Sequence, residues 1–269
     1  MDLFQEIINK NITALSKGIT LIESTNPEHI QKAQQLIAEC LPYSGNSIRI
    51  AITGVPGVGK STFIETFGSI LTDLGKKIAV LAIDPTSERT HGSILGDKSR
   101  MHNLSGNKNA FIRPSPSSGA LGGVNNKTRD SIILCEAAGF EVIIIETVGV
   151  GQNETTVNNL TDFFVLLMLA GAGDELQGIK RGIIELADAI IVTKSDGENI
   201  RASEEASLEY KRAMQLFPPL DNGWSPQVST CSALENIGVQ EILTSILKFD
   251  QEMTKNGWKE HNRENQDKY

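Results

Sequence analysis

The chain has 269 residues, 39% of them hydrophobic and 22% charged, with a formal net charge of -8 at pH 7, enough apolar side chain to build a sizeable core. Net acidity argues against nucleic acid or an anionic membrane as the main partner, since both reward a basic face. Cys40, Cys135 and Cys231 are odd in number, far apart and without a CxxC spacing, which argues against a disulfide framework or zinc site and reads as core thiols in a reducing, cytoplasmic setting.

Taken in chain order, residues 1–45 read as a helical segment: Ile7, Ile8, Ile12 and Leu15, then Ile30, Ala33, Leu36 and Ile37, recur at helical spacing, with "STNPEH" as break and cap between two helices. The N-terminus lacks a basic start followed by a long apolar run, so no secretory signal is expected. From "SIRIAIT" the pattern becomes short β-rich runs alternating with amphipathic helices: "KKIAVLAI", "NAFIR", "FEVIIIE", "DFFVLLML", "ADAIIVT" and "PQVSTCS". Alternation of this kind requires crossover connections, and predicts an α/β domain over 46–250 with a mostly parallel sheet flanked by helices. "FFVLLMLAGAG" is too short for a membrane span of roughly 20 residues. Between "LAID" and a helix expected near Asn126 lie about forty residues rich in Ser, Gly, Asn and Pro; structureless loops beyond roughly 12 to 15 residues are uncommon, which marks this one as a candidate moving part. The polar tail 251–269 is expected to be frayed or solvent-exposed.

The chemistry centres on Gly54-Val55-Pro56-Gly57-Val58-Gly59-Lys60-Ser61-Thr62, which satisfies G-x-x-x-x-G-K-[ST] directly after a β-run and directly before a helix. Glycines let successive backbone N–H groups face phosphate oxygens, and the helix N-terminus adds positive potential. Lys60 is then placed for the β- and γ-phosphates and Ser61 for Mg²⁺. "TKSD" (Thr193, Lys194, Asp196) is, taken alone, equally a strand end with a polar turn. Behind a P-loop it favours GTP over ATP, because one carboxylate accepts both guanine N1–H and N2–H. Thr193 stands where the familiar motif has Asn, which puts one stabilising contact in question. Ser232, Ala233 and Leu234 of "CSAL" are candidates to offer a backbone N–H to the guanine oxygen. "VIIIETVGVG" puts Glu146 at the end of a buried run, suited to a Mg²⁺-bound water, and Gly149 where a backbone N–H meets the γ-phosphate. Asp84 has the same standing, and Asp97 in "GDKSRM" is a further metal-side candidate. His91 and His102 read as surface residues.

These motifs, with "FIRPSPSSGALGGV", "ETVGVGQNE" and "GAGDELQGIKRGIIELADAIIVTKSDG", resemble the MeaB/ArgK GTPases, the family of the methylmalonic aciduria type A protein. The resemblance runs from about residue 12 to about residue 250. It implies a SIMIBI-class P-loop GTPase that turns over GTP to GDP with Mg²⁺, slowly unless stimulated by its partner. The implied partner is an adenosylcobalamin-dependent acyl-CoA mutase such as methylmalonyl-CoA mutase, whose cofactor loading it gates and which it protects. It further implies Lys60 and Ser61 as P-loop contacts, Asp84, Asp97 and Glu146 around Mg²⁺, Lys194 and Asp196 on the base, and Gln177 and Lys180 as coupling residues. Ala170 departs from a Pro common in the family. The short C-terminus predicts a chain that is monomeric or weakly self-associating. Three other functions compete: an ATPase or kinase accessory to amino-acid (lysine, arginine, ornithine) transport; a metallochaperone GTPase, for which a His- or Cys-rich tract is expected and absent; and a non-enzymatic nucleotide-sensing module, separable by whether GDP and phosphate accumulate.

Overall fold

The computed structural model describes residues 2–84, 101–116, 123–147, 154–171, 181–218 and 220–266. Its strands are β1 (Ile48–Gly54), β2 (Ile78–Asp84), β3 (Ala110–Pro116), β4 (Val142–Thr147), β5 (Phe163–Met168), β6 (Ala189–Val192) and β7 (Gln227–Thr230). They form one parallel seven-stranded sheet in the order β3-β2-β4-β1-β5-β6-β7. All seven coincide with the β-rich runs of the sequence. Helices α1 (Leu3–Ile8), α2 (Ile12–Glu23) and α3 (Pro27–Cys40) precede the sheet, α4 (Lys60–Asp73) follows β1, and α5 (His102–Ser105) and α6 (Gly123–Ala137) flank β3. Next come α7 (Glu154–Asn158), α8 (Arg181–Glu185), α9 (Ile200–Met214), α10 (Val239–Lys255) and α11 (Trp258–Gln266). The chain divides into two compact units, Met1–Arg49 with Leu71–Ile145 and Ile50–Ile70 with Glu146–Tyr269.

In the first unit the N-terminal segment makes three helices rather than the expected two. Lys10 adopts a left-handed conformation (φ 65°), and the Asn11 side chain accepts from Thr13 N and Ala14 N, so the chain stops and restarts between the expected periodic positions. The break at "STNPEH" falls as expected: Asn26 caps α3 through Glu28 N, and Pro27 occupies the first turn. A Cβ on Gly18 would lie 2.8 Å from Leu134 Cδ2, so the absent side chain lets α2 approach α6 closely. The segment entering β1 is tied to α6 through one buried carboxylate. Glu136 accepts from Gly45 N (2.8 Å), Ser47 Oγ (2.6 Å), and Arg49 Nε (2.9 Å) and Nη2 (3.0 Å). A fork of this kind is geometrically specific, and removing one partner leaves a buried charge uncompensated.

The second unit is built on β5, whose residues are all buried and which pairs in register with β1 from Ile50↔Phe163 to Gly54↔Leu167. Phe163, Trp224 and Phe249 pack edge to face beside it. Residues 258–266 correct the expectation of a frayed tail. They form α11, held by Arg263 Nη2 donating to Asp162 Oδ2 (2.6 Å) and Gln266 Nε2 donating to Thr161 O (2.8 Å). Asn262, Arg263 and Gln266 reach back to Thr161 and Asp162, while Glu260, His261 and Glu264 face water. Cys40, Cys135 and Cys231 are free and buried, and burial pushes the Cys40 thiol up to about 11 and the Cys231 thiol up to about 12, as core thiols require. Among the described residues no helix is long and apolar enough to cross a membrane.

Two outcomes follow from the buried carboxylates. Glu136→Ala should lower unfolding free energy by about 3–5 kcal/mol in urea titration; a loss like that of a surface substitution would show that the fork contributes little. Burial pushes the Asp188 carboxyl up to about 7, against the pull of the hydrogen bond from Phe164 N and with a further rise from Asp162. The unfolded chain releases that proton at about pH 4, so the folded state holds the extra proton between there and neutrality. This group's contribution is therefore greatest below about pH 4, declines as pH rises to about 7, and levels off above. Asp188→Asn should gain stability over wild type through that window, and parallel pH profiles would contradict the shift.

Candidate functional site

β1 runs straight into the glycine-rich loop. Gly54 has φ 152°, and a Cβ there would stand 2.5 Å from Leu167 O, so the position tolerates only glycine. Gly57 and Gly59 follow with φ of 80° and 98°, and Lys60 opens α4. The Lys60 ammonium donates to Gly54 O (2.7 Å) and Val55 O (3.2 Å), so it lies over the loop that a phosphate chain would enter. Burial lowers its pKa from the usual value, with the Glu146 carboxylate pulling it back up.

Ser61 Oγ donates to Glu146 Oε1 (3.1 Å), and Glu146 is only 6% exposed near the end of β4. Hydroxyl and carboxylate oxygens side by side at a helix N-terminus make a hard-oxygen donor pair of the kind Mg²⁺ takes. Behind them, Thr147 Oγ1 donates to Thr53 Oγ1 (2.7 Å), joining the residues that close β4 to β1.

The "TKSD" segment leaves β6 with Lys194 in a left-handed turn (φ 57°). The Thr193 hydroxyl donates to Val58 O (2.6 Å) and contacts Met168 O (3.2 Å). The residue that departs from the Asn form of the motif thus straps the glycine-rich loop to the end of β5. Asp196 accepts from Ser232 Oγ (2.5 Å), and Ser232 Oγ also receives Glu235 N (3.2 Å). Ser195 N donates to Cys231 O (3.0 Å), so "TKSD" and "CSAL" lie side by side. Leu234 is 80% exposed, and only its backbone is available to such a role.

The second unit therefore gathers Gly54, Val55, Pro56, Gly57, Val58, Gly59, Lys60, Ser61, Thr62, Glu146, Thr193, Lys194, Asp196, Ser232, Ala233 and Leu234. Asp84 is the last residue of β2, in the first unit. Asp97, Gly149, Gln177 and Lys180 lie outside the described residues, as does most of the long Ser/Gly-rich loop. Three residues escaped sequence reasoning: Thr53, Thr147 and Thr66, whose Oγ1 donates to Ala233 O (2.8 Å) and ties α4 to "CSAL". Threonines at strand ends and on a helix flank carry no motif; the faint signal was a polar residue inside otherwise apolar runs.

A parallel sheet whose β1 ends in a Gly-Lys-Ser loop opening a helix, with an acidic residue near the end of a neighbouring strand, defines a P-loop nucleoside triphosphatase. The family model described as "Methylmalonyl Co-A mutase-associated GTPase MeaB" matches residues 15–269. "Probable GTPase Rv1496" of Mycobacterium tuberculosis is 54% identical over 241 residues, 90% of this chain and 72% of that protein. The mouse "Methylmalonic aciduria type A homolog, mitochondrial" is 43% identical over 265 residues, 95% of this chain and 64% of that one. A crystal structure of an LAO/AO transport system kinase superposes with a TM-score of 0.85 at 38% identity, covering 98% of this chain and 79% of the other. The chain belongs to the MeaB family and is a GTPase.

The strap at Thr193 has a measurable consequence. Thr193→Val keeps the shape and the Thr193 N bond to Met168 O (2.8 Å) but removes the hydroxyl donor from the Val58 carbonyl, at a cost of about 1–3 kcal/mol. Affinity for a fluorescent GDP analogue should fall about tenfold, and Thr193→Ser should restore it. Equal affinity of the Val variant and wild type would show that the loop holds its shape unaided.

Proposed function

We propose that this GTPase gates cofactor loading into, and protects, an adenosylcobalamin-dependent acyl-CoA mutase of the methylmalonyl-CoA type, acting as a soluble cytoplasmic chaperone. Membership of a family described as mutase-associated carries this reading, and the name of the mouse relative agrees with it.

In this reading Lys60 leaves the Gly54 and Val55 carbonyls for the β- and γ-phosphates, exchanging backbone dipoles for full negative charge. The glycine-rich loop, Gly54 to Gly59, with Thr62 in the first turn of α4, wraps the phosphates. Ser61 and Glu146, with Asp84 and Asp97, would hold Mg²⁺, which would supply positive charge to the transferred phosphoryl group. Gly149 offers its N–H to the γ-phosphate. Asp196, oriented by Ser232, accepts both guanine donors while the Lys194 stem lies along the ring and Ala233 offers its N–H. Val150, which follows Gly149, can neither donate nor accept through its side chain, so the position that orients water in Ras-like GTPases is silent here. Intrinsic turnover is slow for that reason, and Lys180 or a partner's group supplies the missing charge once the mutase is engaged, an effect worth roughly 10³ to 10⁵ in rate.

Single-turnover GTP hydrolysis with and without a purified adenosylcobalamin-dependent mutase tests the proposal. Stimulation by the mutase, reduced in Lys180→Ala, is the expected result. Asp196→Asn should weaken GTP binding by about 2–4 kcal/mol by turning one acceptor into a donor. Fast unaided turnover, or no response to any such mutase, would remove the chaperone reading. Equal affinity for ATP and GTP would move the protein toward the transport-kinase alternative.

A further inference from the structure

Helix α4 opens with the phosphate-side residues Lys60 and Ser61, and Thr66 stands about 9 Å further along its axis than Lys60 at the helical rise per residue. A hydroxyl inside a helix ordinarily folds back on the carbonyl one turn earlier, as Ser69 does on Glu65 O (2.8 Å) in the same helix. Thr66 does not. Its Oγ1 donates out of the helix to Ala233 O (2.8 Å), although a bond within α4 would satisfy the hydroxyl equally well.

The loop that receives this bond is closed at its base. Ser232 N donates to Ile237 O (3.0 Å) and Ile237 N to Ser232 O (2.9 Å), Ser232 Oγ donates to Asp196 Oδ2 (2.5 Å), and Glu235 N donates to Ser232 Oγ (3.2 Å). Two successive donors, Ala233 N and Leu234 N, have no acceptor among the described residues. Each is the reverse side of a peptide whose oxygen is held. In a trans peptide the C=O and the following N–H point in opposite directions, so Ile237 N on Ser232 O turns the Ala233 N–H away from the bridge. Thr66 on Ala233 O likewise turns the Leu234 N–H away from α4. Successive backbone N–H groups presented in this way suit an oxygen acceptor. Guanine carries its C6 oxygen next to N1–H, so the donor that meets the oxygen must stand beside the carboxylate that takes the N1 proton. Ser232, bonded to Asp196 and directly before Ala233, puts it there.

We propose that Thr66 is a positioning residue for the base: by holding Ala233 O it keeps the Ala233 and Leu234 N–H groups turned to the guanine oxygen, and by standing on α4 it fixes the span between base and phosphates. The inference rests on the guanine-reading role proposed for "TKSD" and "CSAL", and adds to it the residue that sets the oxygen contact. A purine without a good acceptor at that position leaves aimed donors unpaired, which costs more than the bond contributes.

Three nucleotides separate the contacts in calorimetric titrations of the full-length protein with Mg²⁺ at neutral pH. 6-Thio-GDP replaces the C6 oxygen by sulfur, a weaker acceptor, and keeps N1–H and the amine; IDP keeps the oxygen and lacks the amine that Asp196 accepts. Wild type should bind GDP at least about fivefold tighter than 6-thio-GDP, and also tighter than IDP. Thr66→Val keeps the side chain's shape and should bring the GDP to 6-thio-GDP ratio to about one while leaving the GDP to IDP ratio unchanged. Thr66→Ala should do the same, and Thr66→Ser should restore the wild-type ratio. A role confined to stability weakens all three nucleotides alike, so a common fall with both ratios kept overturns the proposal. Collapse of both ratios together, or no preference for oxygen over sulfur in wild type, also overturns it. A wild type that prefers GDP over 6-thio-GDP but not over IDP removes the role of Asp196 instead, and the sulfur ratio in Thr66→Val then decides that of Thr66 by itself.

Discussion

The second unit depends on how closely β1 and β5 approach at Gly54. Leu167 O occupies the place where any Cβ would reach to within 2.5 Å, so residue 54 is glycine or the strand ends elsewhere. With φ at 152°, the same residue releases the chain from the sheet and starts the curl that Gly57 and Gly59 continue. Phosphate binding requires backbone N–H groups to point inward together, and the positioning of Lys60 and Ser61 rests on where that curl begins.

The loop is then held by hydroxyls rather than by apolar packing. Thr193 fastens Val58 to the end of β5, Thr147 joins Thr53, Thr66 holds Ala233, and Ser232 orients Asp196. Each bond is short and several are buried, where an unmatched partner costs more than the bond contributes. The consequence is precision. The glycine-rich loop, "TKSD" and "CSAL" are joined by bonds that fail singly if any one of them moves by about an ångström.

The β-runs were legible because buried parallel strands are apolar throughout, and "VIIIE" or "FFVLLM" has no competing explanation in this setting. The glycine-rich loop was legible because Lys-Ser after a tight glycine turn has no structural use. What stayed hidden was tertiary in origin. Nothing around Thr66 or Thr193 announces a partner more than a hundred residues away, and at Thr193 the departure from Asn suggested a lost contact where the structure has a different one. The C-terminal helix was hidden for the opposite reason. Arg263 and Gln266 look like solvent-facing residues until Asp162 and Thr161 are brought beside them. At Lys10 a left-handed residue and a capping Asn divided a segment whose apolar periodicity reads as continuous.

The two edges of the second unit differ in charge preference for one topological reason. In a parallel α/β arrangement the crossover helices run back against the strands, so their N-termini collect at the carboxyl ends of the strands and their C-termini at the amino ends. The first edge favours anions, and there the glycine-rich loop and α4 open. The second favours cations, and there Asn158, Glu185 and Met214 end their helices. β5 belongs to both edges: Phe164 N meets Asp188 at its start, and Leu167 O and Met168 O meet Gly54 and Thr193 at its end. A strand paired on both sides slips only by whole residues, at the cost of reversing every side chain. Charge placed at one edge can therefore reach the other only through small displacements of an intact strand.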